Sequence, residues 1–356
     1  MENLALGSWA IIQTTPSLLA LIPLLAYLIM VFMNKSNLAG LIVGVIVAAI
    51  LTGQNIQNLA AIFNAALGSF LGTIGLIIMF GSGLGYLMNK TKVSHTLVYW
   101  IVKKIGVNSE KKGKLAIMVS SIVICGLLGT LAGGNAVIAP VVIPMVAAVG
   151  VTPTAVAALL RVSGEVGLMV GPLTGVTIAT MGVTGLSYGK LMLWAVIPFS
   201  LVWLVATWFA VLRIQKKYRG KEAYELTEDM VDIKTIDISK GEKITTIVFL
   251  ISFIALVAYG IITKQGTEYA IIVMLILSAI ISLCGMISNI MKLDEAIRVF
   301  VDGAAQMTNM FLVFIFFEAM FTMINLGNSA AGCHTNYRFF VPDRQHGRTV
   351  GDCKNK

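Results

Sequence analysis

An all-α polytopic membrane protein is what this sequence predicts. Of its 356 residues, 57% are hydrophobic and only 12% are charged, against about 25% charged in an ordinary soluble domain. Mean hydropathy is +0.88. The apolar residues fall in unbroken blocks, not in the period-two alternation of an outer-membrane barrel. Together these observations exclude a soluble enzyme, a disordered tail protein and a disulfide scaffold. The cysteines Cys125, Cys284, Cys333 and Cys353 form no C-x-x-C pair, and the first two lie in apolar runs as small buried residues do. The first basic residue, Lys35, follows the first apolar run, so the N-terminus lacks the basic region of a cleavable signal.

A bilayer core of about 30 Å takes roughly 20 apolar residues at about 1.5 Å each. Blocks 17–33, 38–53, 69–89, 166–183, 191–212, 244–262, 268–287 and 308–326 are the candidate spans, with 38–53 short and extended by its flanks. Segment 93–105 mixes Val98, Trp100, Ile101 and Ile105 with Lys103 and Lys104, the pattern of a helix lying at the membrane surface. Two apolar stretches, 115–131 and 136–150, are separated by Ala132-Gly133-Gly134-Asn135. At about 22 Å the second is too short to cross, so 115–150 is expected to be a re-entrant helical hairpin. Thr152-Pro153 starts a helix over 153–165, with Thr as N-cap and Pro at the first position. The next span contains Gly171-Pro172-Leu173-Thr174, a break whose freed backbone groups hydroxyls can satisfy. Segment 213–243 is a linker, basic at its start and acidic through Glu222, Glu225, Glu228, Asp229, Asp232 and Asp237.

The formal net charge is +9, but the placement of the charges says more than their sum. With the N-terminus outside, the inside segments 34–37, 90–114, 151–165, 213–243 and 288–307 hold 19 of the 26 Lys/Arg. The outside segments hold Lys190 and Lys264 only. That bias predicts a multi-pass protein of a bacterial inner membrane with its N-terminus outside, and it accounts for the basic residues without a nucleic acid.

The order span, short link, span, amphipathic stretch, span occurs twice, over 17–89 and over 244–326. Shifting by 237 residues lays 62–88 on 299–325, with Phe63/Phe300, Ile78/Ile315 and Phe80/Phe317 identical. An odd number of crossings separates the copies, so they are expected to be inverted, the hallmark of a secondary transporter. The expected organisation is a first repeat over 1–212 including the hairpin, a linker over 213–243, an incomplete second repeat over 244–326, and a polar tail over 327–356. That tail holds two of the three histidines, two of the four cysteines and five Lys/Arg. It is either a natural polar tail, or out-of-frame or otherwise foreign sequence in place of roughly 120 residues of a second hairpin bundle.

Gly133-Gly134-Asn135 is the strongest candidate site. Two glycines let backbone approach a ligand, Asn135 can cap the following helix or donate to a substrate, and the opening N–H groups suit an anion. A helix break that only packs is the alternative. Glu165 lies four residues after Arg161, so an i,i+4 ion pair competes with a proton- or cation-coupling role. Glu318 lies mid-span, where a carboxylate costs several kcal/mol unless paired, protonated or facing water, so a proton- or cation-coupling role competes with that of a structural Glu satisfied by a partner. Asn309 shares its helix and is expected to line the same path. The G-x-x-x-G spacings, such as Gly167/Gly171, are explained by close helix packing. There is no H-E-x-x-H and no P-loop, so neither a zinc-dependent hydrolase nor a primary pump is expected.

On the stretches AGGNAVIAPVVIP at 132–144 and SGEVGLMVGPLTGVT at 163–177, the chain resembles the ion transporter superfamily. That group includes NhaC-type sodium/proton antiporters, lactate and gluconate permeases, and dicarboxylate and citrate carriers. The resemblance covers about residues 15–326. It implies substrate- and sodium-binding roles for Gly133, Gly134, Asn135, Pro172, Thr174 and Thr177. NhaC-type antiporters carry acidic residues around the comparable segment, where this chain has Leu168 and Gly175, which weakens strict sodium/proton antiport and leaves carboxylate transport open. The expected activity is Na⁺- or H⁺-coupled carriage of a small organic anion by alternating access, with no resident cofactor or metal. Sodium/proton antiport and a transport-inactive truncated product are the alternatives. The expected partners are the anion or Na⁺ and the lipid bilayer, with a homodimer left open.

Overall fold

The computed structural model describes residues 6–12, 17–224 and 238–328. The expectations for the acidic linker from Glu225 to Asp237 and for the tail from Ser329 lie outside the described residues. Among those described, the regular structure is helical with no strand. Among the described residues seven helices are long and apolar enough to cross a bilayer, and the chain is an all-α polytopic membrane protein. The described residues form two compact units, one within 6–76, 182–185 and 308–328, the other within 77–181 and 186–307.

The first unit holds a 3-10 turn (Leu18–Leu21), α1 (Ile22–Phe32), α2 (Asn37–Thr52), α3 (Ile56–Leu67), the start of α4 (Phe70–Lys90) and α15 (Thr308–Asn328). α2 is stopped at both ends. Ser36 Oγ accepts from Ala39 N–H at 3.2 Å, and Gly53 takes a left-handed φ of +67°. Those stops hold α2 to 16 residues, so the flanks do not lengthen it as the sequence suggested. The block 17–33 is likewise a shorter helical run, Leu18–Phe32. The core joins Leu41, Val45, Ala48 and Ile62 to Ile315, Ala319 and Met320. Gly44 lets α15 lie close on α2, since a Cβ there would sit 2.6 Å from Met320 Sδ.

The second unit holds the rest of α4, then α5 (Val93–Ile105), α6 (Glu110–Leu128), α7 (Leu131–Ala148), α8 (Pro153–Val170) and most of α9 (Gly175–Thr184). A short α10 (Tyr188–Leu191) runs through a π turn at Met192–Val196 into α11 (Ile197–Tyr218). α12 (Lys240–Ile262), α13 (Tyr269–Ile287) and α14 (Leu293–Ala305) complete it. α12 opens on a full capping box between Ser239 and Glu242. Trp194 in the π turn and Val202 on α11 are 78% and 72% exposed, and Leu201, Val205 and Phe209 of α11 are exposed as well. An apolar face this bare suits lipid.

Two boundaries differ from the sequence expectation. α8 runs unbroken through Glu165 to Val170, so no helix ends at 165; the break comes at Gly171-Pro172, where Pro172 has no N–H and holds Gly171 extended at φ −62°, ψ 124°. The hairpin tip lies at Gly129-Thr130, not at 132–135. α7 therefore has 18 residues, about 27 Å, and the argument that the return helix is too short to cross does not hold.

One end of the second unit gathers its charges. Lys90 pairs with Glu295 at 2.7 Å and Lys92 with Glu242 at 3.3 Å. Glu110 holds both the fully buried Lys114 and Arg219 at 2.5 Å. Gln215 Oε1 accepts from Thr152 N–H at 3.0 Å, and Gln215 Nε2 donates to Gly150 O at 2.8 Å. Glu222 accepts from Thr154 Oγ1 at 2.6 Å.

Candidate functional site

α6 and α7 form an antiparallel hairpin, with Gly113 beside Val146 and Val149 at one end and Gly134 against Cys125 near the tip. Gly129 ends α6 in the left-handed region, φ +67°, and its N–H reaches Cys125 O at 2.9 Å. Thr130 is extended and occupies the N-cap position of α7 without a side-chain cap bond. Gly134 N–H makes the first intrahelical bond, to Thr130 O at 3.2 Å. The N–H groups of Leu131, Ala132 and Gly133 are thus the helix's orphan donors.

This corrects the placement of Gly133, Gly134 and Asn135. All three lie in the opening turns of α7, so Asn135 does not cap it. A Cβ on Gly134 would collide with the Cys125 sulfur, so this glycine serves close packing. Gly133 and Asn135 are half-buried beside the tip, and Asn135 Oδ1 lies 3.9 Å from Cys125 Sγ.

α8 runs parallel to α6. Gly164 packs on Ser121 and Cys125, Gly167 on Ile122 and Gly126, and Gly171 on Gly126. A Cβ on Gly167 would sit 2.5 Å from Ile122 O, so glycine is required for this approach. Past that seam both helices break at the same level, where the ideal Cβ of Gly129 lies 4.0 Å from Thr174 Cα.

The last four carbonyls of an α-helix have no intrahelical partner beyond the next residues. In α8 each finds one. Gly171 N–H takes Gly167 O at 2.8 Å. Thr174 Oγ1 donates to Leu168 O, Thr177 Oγ1 to Met169 O at 2.8 Å, and Tyr188 OH to Val170 O at 2.7 Å. Thr174 Oγ1 also accepts from Thr177 N–H at 3.3 Å, capping α9. The expectation that hydroxyls satisfy the Gly-Pro break is met, and Pro172 sits half-buried at its centre. Sequence reasoning missed Tyr188; its distance from the break in the chain hid it, although a Tyr entering an apolar span needs a partner for its hydroxyl.

Glu165 Oε1 receives Arg161 Nε at 2.7 Å on the same helix, the i,i+4 pair foreseen as the alternative. Glu318 belongs to the first unit, half-buried on α15 with no hydrogen bond or ion pair among the described residues. Asn309 lies nine residues earlier on α15 and is exposed. That separation puts it about 180° around the helix from Glu318 and about 13 Å along it, so the two do not line one path.

A cleft of about 610 Å³ lies away from the breaks, lined by Tyr86, Asn89, Lys90, Lys92, His95 and others. Burial and then the neighbouring Lys92 charge push the His95 pKa below its usual 6.5, with Glu242 opposing. Lys90 holds the exposed Glu295 carboxyl below the usual range, chiefly by their hydrogen bond.

A multi-pass helical chain with two parallel helices interrupted side by side, and buried polar groups answered at the interruption, has the architecture of a membrane carrier. The profile of the DcuC family, C4-dicarboxylate anaerobic carrier, matches residues 72–334, which include both breaks. The chain belongs to that family, a transporter family. Comparison with individual curated proteins finds no match.

Proposed function

We propose that this protein is a secondary carrier of a C4-dicarboxylate, coupled to Na⁺ or H⁺ and working by alternating access, with the anion held at the paired breaks. The family match supports the substrate class. The observation that carries the locus is the side-by-side interruption of α6 and α8 at Gly129 and Gly171–Thr174. There α7 opens with orphan N–H groups, and α9 opens beside it. Helix N-termini carry partial positive charge and bind carboxylates. Asn135, half-buried beside the tip, offers an amide donor. The same broken-helix pattern supports kinship with the ion transporter superfamily.

The test is uptake of radiolabelled succinate by proteoliposomes holding the purified chain, under imposed Na⁺ or proton gradients. Saturable uptake inhibited by fumarate is expected, with Asn135→Ala raising KM about tenfold. Uptake no greater than in empty liposomes would remove the carrier reading. Proton-driven sodium-22 flux without any dicarboxylate uptake would replace it with antiport.

A further inference from the structure

A broken helix offers two polarities. Its N-terminal end presents N–H groups and favours anions, while its C-terminal end presents carbonyls and favours cations. At the α8–α9 break both ends lie within one short segment, so a bound carboxylate would meet the carbonyl end of α8 as well as the opening of α9.

The structure removes that conflict with side chains. The carbonyls of Leu168, Met169 and Val170 are the ones the backbone leaves over, and Thr174, Thr177 and Tyr188 each point a hydroxyl proton at one of them. Thr174 and Thr177 are buried and come from α9 and its cap, whereas Tyr188 comes from the start of the next helix. Thr177 Oγ1 also lies 3.2 Å from Leu168 O, so the two threonines share the cover of that carbonyl. Thr174 also uses its lone pair to cap α9 at Thr177 N–H, so one residue covers the negative end and orients the positive one.

We propose that Thr174, Thr177 and Tyr188 are specificity-determining positioning residues, which cover the carbonyl end of α8 so that the break presents only N–H groups to a carried dicarboxylate. This rests on the assignment of the breaks as the dicarboxylate site. The residues act through backbone carbonyls and need not touch the anion.

Tyr188→Phe keeps the ring and bares Val170 O; Thr177→Val keeps the shape and bares Met169 O. Succinate binding to purified protein by titration calorimetry, and KM and kcat for succinate uptake, are measured for wild type, both variants and Thr177→Ser. Each of the first two should weaken succinate binding about three- to tenfold and raise KM alike with little change in kcat, while Thr177→Ser restores wild-type affinity. Wild-type binding and KM in both Tyr188→Phe and Thr177→Val, or a fall in kcat alone, overturns the proposal and leaves the carrier assignment standing. A wild-type protein that neither binds nor transports succinate overturns both.

Discussion

Gln215 ties α11 to the turn between α7 and α8 with one buried amide. Its oxygen accepts from both Thr152 N–H and Thr152 Oγ1, and its Nε2 donates to Gly150 O. It is 3% exposed, so water does not stand in for it. Gln215→Leu would strand two donors and an acceptor in the turn between α7 and α8, at a cost of about 3 kcal/mol. Unfolding in detergent should show that loss, and a variant as stable as wild type would mean the turn repacks. His95 offers a pH test. Its folded pKa lies below 6.5 because burial and then Lys92 disfavour the imidazolium. The unfolded chain therefore takes the proton first as pH falls. The stabilisation by neutral His95 is complete above 6.5 and is lost as pH falls through the folded value. Between about pH 7 and about pH 5 the wild-type melting temperature should fall more than that of His95→Gln. Parallel curves for the two proteins would contradict this.

Among the elements, the α6–α8 seam decides whether the breaks meet. Gly167→Ala places a methyl 2.5 Å from Ile122 O and 3.1 Å from Gly126 N. Backbone on a rigid helix cannot yield as a flexible side chain can, so the helices must separate. Succinate uptake should fall by about tenfold or more, together with a lower melting temperature, whereas Gly189→Ala, with open space around the new Cβ, should leave both unchanged. Equal loss in both variants would argue against the seam. The seam was half visible in the sequence, since Gly167/Gly171 spacing announces close packing. The position of the hairpin tip was misjudged for a definite reason. Gly133-Gly134 drew the break because glycine weakens helices, but helical glycine costs only about 1 kcal/mol, and packing against Cys125 outweighs it. The better signal was Gly129-Thr130, a left-handed terminator followed by an N-cap residue type. At Gly171-Pro172 the prediction succeeded, because proline's missing N–H coincides with a glycine it holds extended, whereas Pro140 and Pro144 stay inside α7. Tyr188 and Gln215 were beyond sequence reasoning because their partners are chosen by tertiary approach.

For the whole molecule, the polar contacts of the second unit bear on topology. Lys90–Glu295, Lys92–Glu242, Glu110–Arg219, Thr152–Gln215 and Thr154–Glu222 each join two segments. All of those contacting residues lie in stretches that the Lys/Arg bias puts on one side, Thr152 and Thr154 at the start of α8 included. Contact requires each pair to be separated by an even number of crossings, whatever the absolute orientation. The bias then chooses which side faces the cytoplasm. The two claims separate experimentally. In a cysteine-free background, single cysteines replace Lys104 and Lys221 on the charged side, and Lys190 and Lys264 on the other. Intact cells are treated with a membrane-impermeant maleimide before and after permeabilisation. Lys190→Cys and Lys264→Cys should label in intact cells, and Lys104→Cys and Lys221→Cys only after permeabilisation. A uniform reversal would overturn the orientation and leave the crossing parity intact. Labelling of Lys104→Cys and Lys221→Cys from opposite sides would break the parity itself, and with it the hairpin that returns α7 to the side from which α6 starts.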